Sequence, residues 1–345
     1  MLRSPLLVKD VKEDYRLLLQ ETNPDIILMS LWFWQTDKPW FNAPGLFLSF
    51  TKKAMPHVKI IILTDDVHWL RLQKLSLSRQ TISSSNSRQG VSLEAEVAAI
   101  RVSEYQNYAE ADVVISISPT DRRNIIRYDS SKDQHLRESG KVFVVPFVAS
   151  PWETQDPSAV PGYKERRGLI FVGNLQNPTN VEGLRWFIES IVPQLSARIP
   201  DLTFTIIGGG KWPLDMAPDP PIRYLGWLSW EQMRQELNSA RVFVSPIVVS
   251  TGVNTKNSLA MSNGIPLVTT KIGASGLCNG CDDNPVAIDD ALSTASNHGI
   301  YFGVERNSPF VVAADDTEFT RGVLELYFDE VVWTAYSKVS LPETQ

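Results

Sequence analysis

Short, continuous apolar runs alternate with longer stretches of helical spacing along most of this chain. Over Leu6 to Glu21 the apolar positions Leu7, Val11, Leu18 and Leu19 recur between charges, as they do on a helix. Four runs then read as buried strands: DIILMS (25–30), VKIIIL (58–63), DVVISIS (112–118) and KVFVVPF (141–147), with a helical stretch from Leu93 to Glu110. A second set begins at Gly168, with strands at LIFVG (169–173), LTFTIIGGG (202–210), IRYLG (222–226), RVFVSP (241–246) and IPLVTT (265–270). Helical segments at about 181–198, about 230–239 and after Gly252 separate them. Strands that are apolar throughout, rather than alternating, belong to parallel sheets covered on both faces, and the helices between them are crossovers. The pattern predicts an α/β protein of two tandem units that face each other across a cleft. Their ligands would sit at the carboxyl ends of the strands. The Pro-rich polar stretch 148–166 reads as a linker, so the predicted division is 1–150, a linker at 151–166, and 167–345. Thr81 to Gly90 is Ser-rich and reads as a loop; Leu277 to Ser308 has no clear period and reads as an insertion.

Composition narrows the function classes. A net charge of -6 argues against general nucleic-acid binding, which needs a basic surface. No apolar run approaches the roughly 18 residues that span a bilayer. The opening MLRSPLLVKDVKEDY lacks a signal-peptide core, and two cysteines give no disulfide framework. The expectation is a soluble, cytoplasmic protein. Cys278 and Cys281 form a lone CxxC with only His298 nearby in sequence, short of the about four ligands of a zinc site. They read as two loop thiols, with a redox pair the weaker alternative, and no metal site is expected. Trp32, Phe33 and Trp34 after the first strand either pack or line a sugar-binding crevice.

The chemistry concentrates in residues 241–277, which read as strand, polar glycine-containing turn, helix, strand and a second glycine-rich turn. The first-turn N–H groups of a helix that follows a parallel strand have no helical partner, and the helix dipole favours negative charge there. Lys256 adds a cation in that turn. The segment suggests a seat for a phosphorylated ligand, a nucleotide-sugar being the best candidate. The plainer alternative is a helix start capped by Ser250 or Thr251.

The second half resembles the group 1 (family 4) glycosyltransferases of the GT-B fold. The resemblance is carried by FVGNLQNPTNVEGLRWFIESIVPQL (171–195), TIIGGG (205–210), RYLGWLSWEQMRQELNSARVFVSPI (223–247) and STGVNTKNSLAMSNGIPLVTTKIGASGL (250–277), and it resumes at 310–329. In the first half, Thr64-Asp-Asp-Val-His-Trp-Leu-Arg71 is similar to the family's Asp-x-His-x-x-Arg turn. The resemblance implies two Rossmann-like domains. The second would bind the nucleotide diphosphate and the first an acceptor, a glycan, lipid, protein or small molecule. The implied reaction is sugar transfer with retention at the anomeric carbon, independent of metal and of any cofactor beyond the nucleotide-sugar substrate. By that resemblance His68 touches the donor sugar and Lys256 is the basic residue on the diphosphate, the two catalytic candidates. Gly173 and Asn174, then Gly208 and Gly210, form the glycine turns; Ser250, Thr251, Gly252, Val253, Asn254 and Thr255 form the phosphate turn. Asp65 and Asp66 read as caps or solvated charges, and Lys211 as a solvated turn lysine.

Three departures accompany the match. Positions that carry two glutamates in many members are Thr251 and Leu259 here, and leucine cannot accept a ribose hydrogen bond. The turn GNLQNPTN has no arginine or lysine. The chain also opens at a helix rather than at a strand and glycine loop, so the first domain reads as truncated at its N-terminus, whether as a fragment or as a smaller acceptor domain. These departures motivate a second reading, a catalytically weak or inactive binding or scaffolding protein of the same fold. A sugar-phosphate enzyme such as an epimerase is a third. No transmembrane segment is expected, with peripheral membrane contact left open.

Overall fold

The computed structural model describes residues 11–30, 43–64, 66–74, 87–126, 136, 138–145, 157–212, 221–249, 253–275, 277, 301–302 and 310–340. The chain divides into two compact units, Met1–Pro146 and Phe147–Gln345.

The first unit runs α1 (Val11–Thr22), β1 (Ile26–Ser30), α2 (Ala43–Ala54), β2 (Lys59–Thr64), a helical stretch at 68–74, α3 (Ser87–Glu110), β3 (Val113–Ser116), α4 (Pro119–Ile126) and β4 (Val142–Val144). Among the described residues its four strands lie in the order β1-β2-β3-β4, all parallel. Ile60, Ile62, Val114 and Val142 are buried against Leu48, Tyr105, Tyr108 and Ile125 from the helices. Asp112 ties the sheet together by accepting from the Ile60 N–H at 2.9 Å and from the ammoniums of Lys52 and Lys59. Among the described strands β1 lies at the edge, and its Ile26 and Leu28 are exposed. Helix α3 opens at Ser87, inside the stretch that its serines and glycine marked as loop. Low helix propensity is a weak prior, and a long helix packed on a sheet overrides it.

The second unit runs β5 (Arg167–Val172), α5 (Pro178–Trp186), β6 (Phe204–Ile207), β7 (Ile222–Gly226), α6 (Trp230–Ser239), β8 (Ala240–Ser245), α7 (Thr255–Ser262), β9 (Leu267–Thr270), β10 (Tyr301–Phe302), β11 (Phe310–Ala313), α8 (Asp316–Phe328) and α9 (Glu330–Ser340). Its sheet has the order β10-β11-β9-β8-β5-β6-β7, parallel except where β10 meets β11. Strands β5, β6, β8 and β9 are buried almost throughout, as their unbroken apolar runs require. α5 starts three residues before the expected 181. Asn177 caps it by accepting from the Thr179 N–H at 3.1 Å, and Pro178 fills the first position, where an N–H has no partner. The helix continues through one π turn, Phe187–Ile191, into Val192–Ser196. Pro193 has no N–H to donate, and the wider register falls just before it.

Two buried arginines close the end of this sheet where β5 and β8 begin. Arg166, fully buried, donates to the carbonyls of Pro161, Leu237, Ala240 and Asn263. Burial pushes it down to about 10, still charged at neutral pH. Arg241 donates to the carbonyls of Tyr327 and Tyr163 and lies 4.0 Å from the centre of the Tyr163 ring. These contacts leave the opposite end, where the strands finish, to the glycine turns.

Candidate functional site

The strand order of the second unit reverses between β5 and β8: β6 and β7 follow on one side, β9 and β11 on the other. Connections that leave neighbouring strands in opposite directions open a crevice at their carboxyl ends, where ligands of open α/β sheets bind. The turn after β5 and the turn after β8 flank that point.

The β5 turn is knitted to the β6 turn by backbone bonds. Gly173 N–H donates to Ile207 O at 2.9 Å, Leu175 N–H to Gly209 O at 2.8 Å, and Gly208 N–H to Gly226 O at 2.8 Å. The N–H groups of Gly173 and Gly208 are therefore committed inside the sheet end. What these two glycines supply is closeness. A Cβ at Gly208 (φ +159) would stand 1.8 Å from Gly173 O, and one at Gly173 would stand 2.8 Å from the Phe171 ring. Gly210 (φ +113) completes the turn, and the Tyr224 hydroxyl donates to its carbonyl at 2.8 Å. Asn174 shapes its own turn: its Oδ1 accepts from Gln176 N–H at 2.9 Å. Lys211 is exposed, as expected of a solvated lysine.

After β8, helix α7 begins at Thr255 with Asn254 as its cap residue, and Asn254 makes no side-chain capping bond. Its amide donates instead to Gly273 O at 3.3 Å, and Asn257 reaches the same carbonyl at 2.8 Å. Ser250, Thr251 and Gly252 lie outside the described residues. The cap falls at 254, so Ser250 and Thr251 do not occupy the capping position. Val253, Asn254 and Lys256 are partly exposed and Thr255 is exposed. Lys256 Nζ donates to Asn180 Oδ1 and lies 4.9 Å from the centre of the Phe171 ring. Burial alone pushes Lys256 down to about 7. Leu259, at the position of the second glutamate, packs against the apolar cluster that includes Ile170, Leu237 and Leu267.

In the first unit, His68 follows β2 and is buried. Its Nδ1 lies 3.1 Å from Glu104 Oε1. Glu104, itself fully buried, also accepts from the His68 N–H at 3.1 Å, the Trp69 N–H at 3.0 Å and the Tyr108 hydroxyl at 2.9 Å. One carboxylate thus caps the helical stretch at 68–74 and orients the histidine ring. Asp66, buried, pairs with Arg71 at 2.9 Å, so it is neither solvated nor a simple cap. Asp65, Trp32, Phe33, Trp34, Cys278, Cys281 and His298 lie outside the described residues. Glu104→Gln removes the charge from this hub, and unit 1 is expected to lose about 1–3 kcal/mol of stability, read as a lower urea midpoint at unchanged slope.

Sequence reasoning missed Asn180, Gly183 and Glu104. Glu104 had a signal: it sits between Ile100 and Tyr108 on the buried stripe of α3, where a lone carboxylate must find several donors. Gly183 would place a Cβ 1.9 Å from Pro246 O, so a bare backbone lets α5 lie on the turn after β8. Among the described residues no group of three or more His, Cys, Asp or Glu could hold a metal ion, and no helix is long and apolar enough to cross a membrane.

Residues 166–328 match the family model of glycosyl transferases group 1. An uncharacterized 44.6 kDa protein in the cps region of Klebsiella pneumoniae is 26% identical over 164 residues, 45% of this chain and 36% of that protein, so the match spans about a third of the relative's length. Among solved structures, sucrose-phosphate synthase from Thermosynechococcus elongatus superposes with a TM-score of 0.59 at 12% identity, over 95% of this chain and 70% of that one. A UDP-forming trehalose-phosphate synthase from Burkholderia xenovorans gives 0.53 at 12% identity, over 95% and 74%. The likeness covers both α/β units and shows a shared fold. The chain thus has the GT-B fold, and residues 166–328 of its second unit are similar to the group 1 glycosyl transferases.

Proposed function

We propose that the chain moves a sugar from a nucleotide-sugar donor to an acceptor, with retention of anomeric configuration and without a metal ion or other cofactor. The observation that carries this reading is Lys256, a lysine at an uncapped helix start whose ammonium has an amide and a ring for neighbours. Departure of a nucleoside diphosphate develops negative charge on its phosphate oxygens, and donors already in place for that charge lower the barrier. N–H groups at the head of α7 and the Lys256 ammonium would supply them where other transferases use a metal. Lys256 has a lowered proton affinity in the empty site, and an arriving diphosphate would raise it and draw a proton in. His68, held by Glu104, would contact the donor sugar from the first unit. The family match favours transfer over a purely binding role, and the acceptor belongs to the first unit, where the match does not extend. A cytoplasmic location and the absence of nucleic-acid partners are part of the proposal.

The test is nucleoside diphosphate release from a panel of UDP-, GDP-, ADP- and TDP-sugars, with anomeric configuration of any product read by NMR. We expect one donor class to give release above the uncatalysed rate. No release, together with no diphosphate binding by calorimetry, overturns the proposal.

A further inference from the structure

Asn180 stands where the two turns of the crevice meet. It is the third residue of α5, and it is buried. Its Nδ2 donates to Asn174 O at 2.8 Å, and its Oδ1 accepts from Lys256 Nζ. These partners fix which end of the amide is which. A flipped amide would set NH2 against the ammonium and oxygen against the carbonyl, two repulsive pairs. The surroundings hold the group in place. A Cβ at Gly173 would come within 3.0 Å of Asn180 Nδ2, and Gly183, one turn further along α5, sits directly on Pro246 O after β8. The helix that carries Asn180 is thus pressed onto the turn that leads to Lys256.

We infer that Asn180 is a positioning residue for Lys256, a neutral acceptor that aims the ammonium at the crevice while leaving its charge for an anionic ligand. The inference rests on the phosphate site proposed above. The residue type follows from the task. A carboxylate at this position would keep the lysine charged but offset that charge, and would repel a phosphate. An apolar side chain would leave a buried ammonium without an acceptor, at the cost of its desolvation. An amide gives one hydrogen bond and no charge. Its second bond, to Asn174 O, means it cannot follow the lysine, so a ligand draws the ammonium from a fixed starting point. The groups that touch Lys256 from β5 and α5, Phe171 and Asn180, are uncharged, and burial is the sole cause of its lowered proton affinity.

The experiment uses the full chain and calorimetry with UDP, GDP and ADP, choosing the tightest for the wild type, at pH 8 in buffers of different ionisation enthalpy. The wild type is expected to take up a proton on binding, because Lys256 is largely neutral at that pH when empty. Asn180→Asp is expected to abolish that uptake, since the lysine is already charged beside a carboxylate, and to weaken binding about tenfold or more. Wild-type affinity in this variant overturns the inference. So does lost affinity with proton uptake intact, which is what a merely structural role gives. Should Asn180→Asp fail to fold, Asn180→Leu replaces it, with the same loss of affinity expected and uptake retained; unchanged affinity there overturns the inference as well. If the wild type binds none of the three diphosphates nor inorganic pyrophosphate, the phosphate site itself fails, a distinct result.

Discussion

Lys256→Met is expected to change stability and ligand binding in opposite directions. The lysine is held near pH 7 by burial, and methionine fills nearly the same volume with nothing to desolvate. Removing the ammonium should therefore raise Tm, by about 2–6 °C for a unit of this size. If Lys256 holds the diphosphate as proposed, the same change removes a charged hydrogen bond to it and is expected to weaken nucleoside diphosphate binding roughly 10- to 100-fold. The pH dependence follows from the sign of the shift. The unfolded lysine titrates near its ordinary value of about 10.4 and the folded one near 7, so between those values the unfolded chain holds the extra proton. The destabilisation is fully present below about pH 7 and fades as pH rises through the window. Wild type minus Lys256→Met should therefore show stability rising from pH 7 to pH 10, measured by thermal melts of both proteins. Unchanged affinity in the variant would remove Lys256 from the site; a fall in Tm would show that its burial is not costly.

The three consecutive glycines at 208–210 are expected to respond unequally. Gly208→Ala places a methyl 1.8 Å from Gly173 O, backbone against backbone, in a conformation side chains rarely adopt. Either the β6 turn or the β5 turn must move, at a cost of about 2–4 kcal/mol. That movement breaks the bonds Gly173 N–H to Ile207 O and Leu175 N–H to Gly209 O, and with them the seat of Asn174. Nucleoside diphosphate binding should be lost along with the stability. Gly209→Ala meets nothing within 4 Å and should be neutral within about 0.5 kcal/mol, with affinity retained. Urea unfolding and calorimetry on the two variants settle the contrast. Equal effects would mean that the close approach of the two turns does not govern this site.

The fold was largely legible in the amino-acid sequence. Continuous apolar runs such as LIFVG and RVFVSP became β5 and β8, because a parallel strand covered on both faces has no polar side to show. Ile222–Gly226 and Trp230–Ser239 fell where their period placed them. The helix over the Ser-rich stretch from Ser87 did not, since what stabilises α3 is its packing on the sheet rather than its propensity. In the candidate site, the glycines and Lys256 were visible as a pattern, whereas Asn180 was not. An asparagine after an Asn-Pro helix start reads as ordinary turn chemistry until its amide is seen to span two connections.

By itself, then, the sequence determined a pair of parallel α/β units, the turns after β5, β6 and β8, and a lysine in the first turn of α7. These follow from local periodicity, from residues that only certain backbone shapes accept, and from the order of motifs. The tertiary structure alone decided that Gly173 and Gly208 serve close approach rather than ligand donation, that Lys256 rests on an uncharged amide, and that Glu104 holds His68. Each depends on contacts between segments 30 or more residues apart in the chain, 76 for Lys256 and Asn180 and 36 for His68 and Glu104, and spacing along the chain does not encode such contacts.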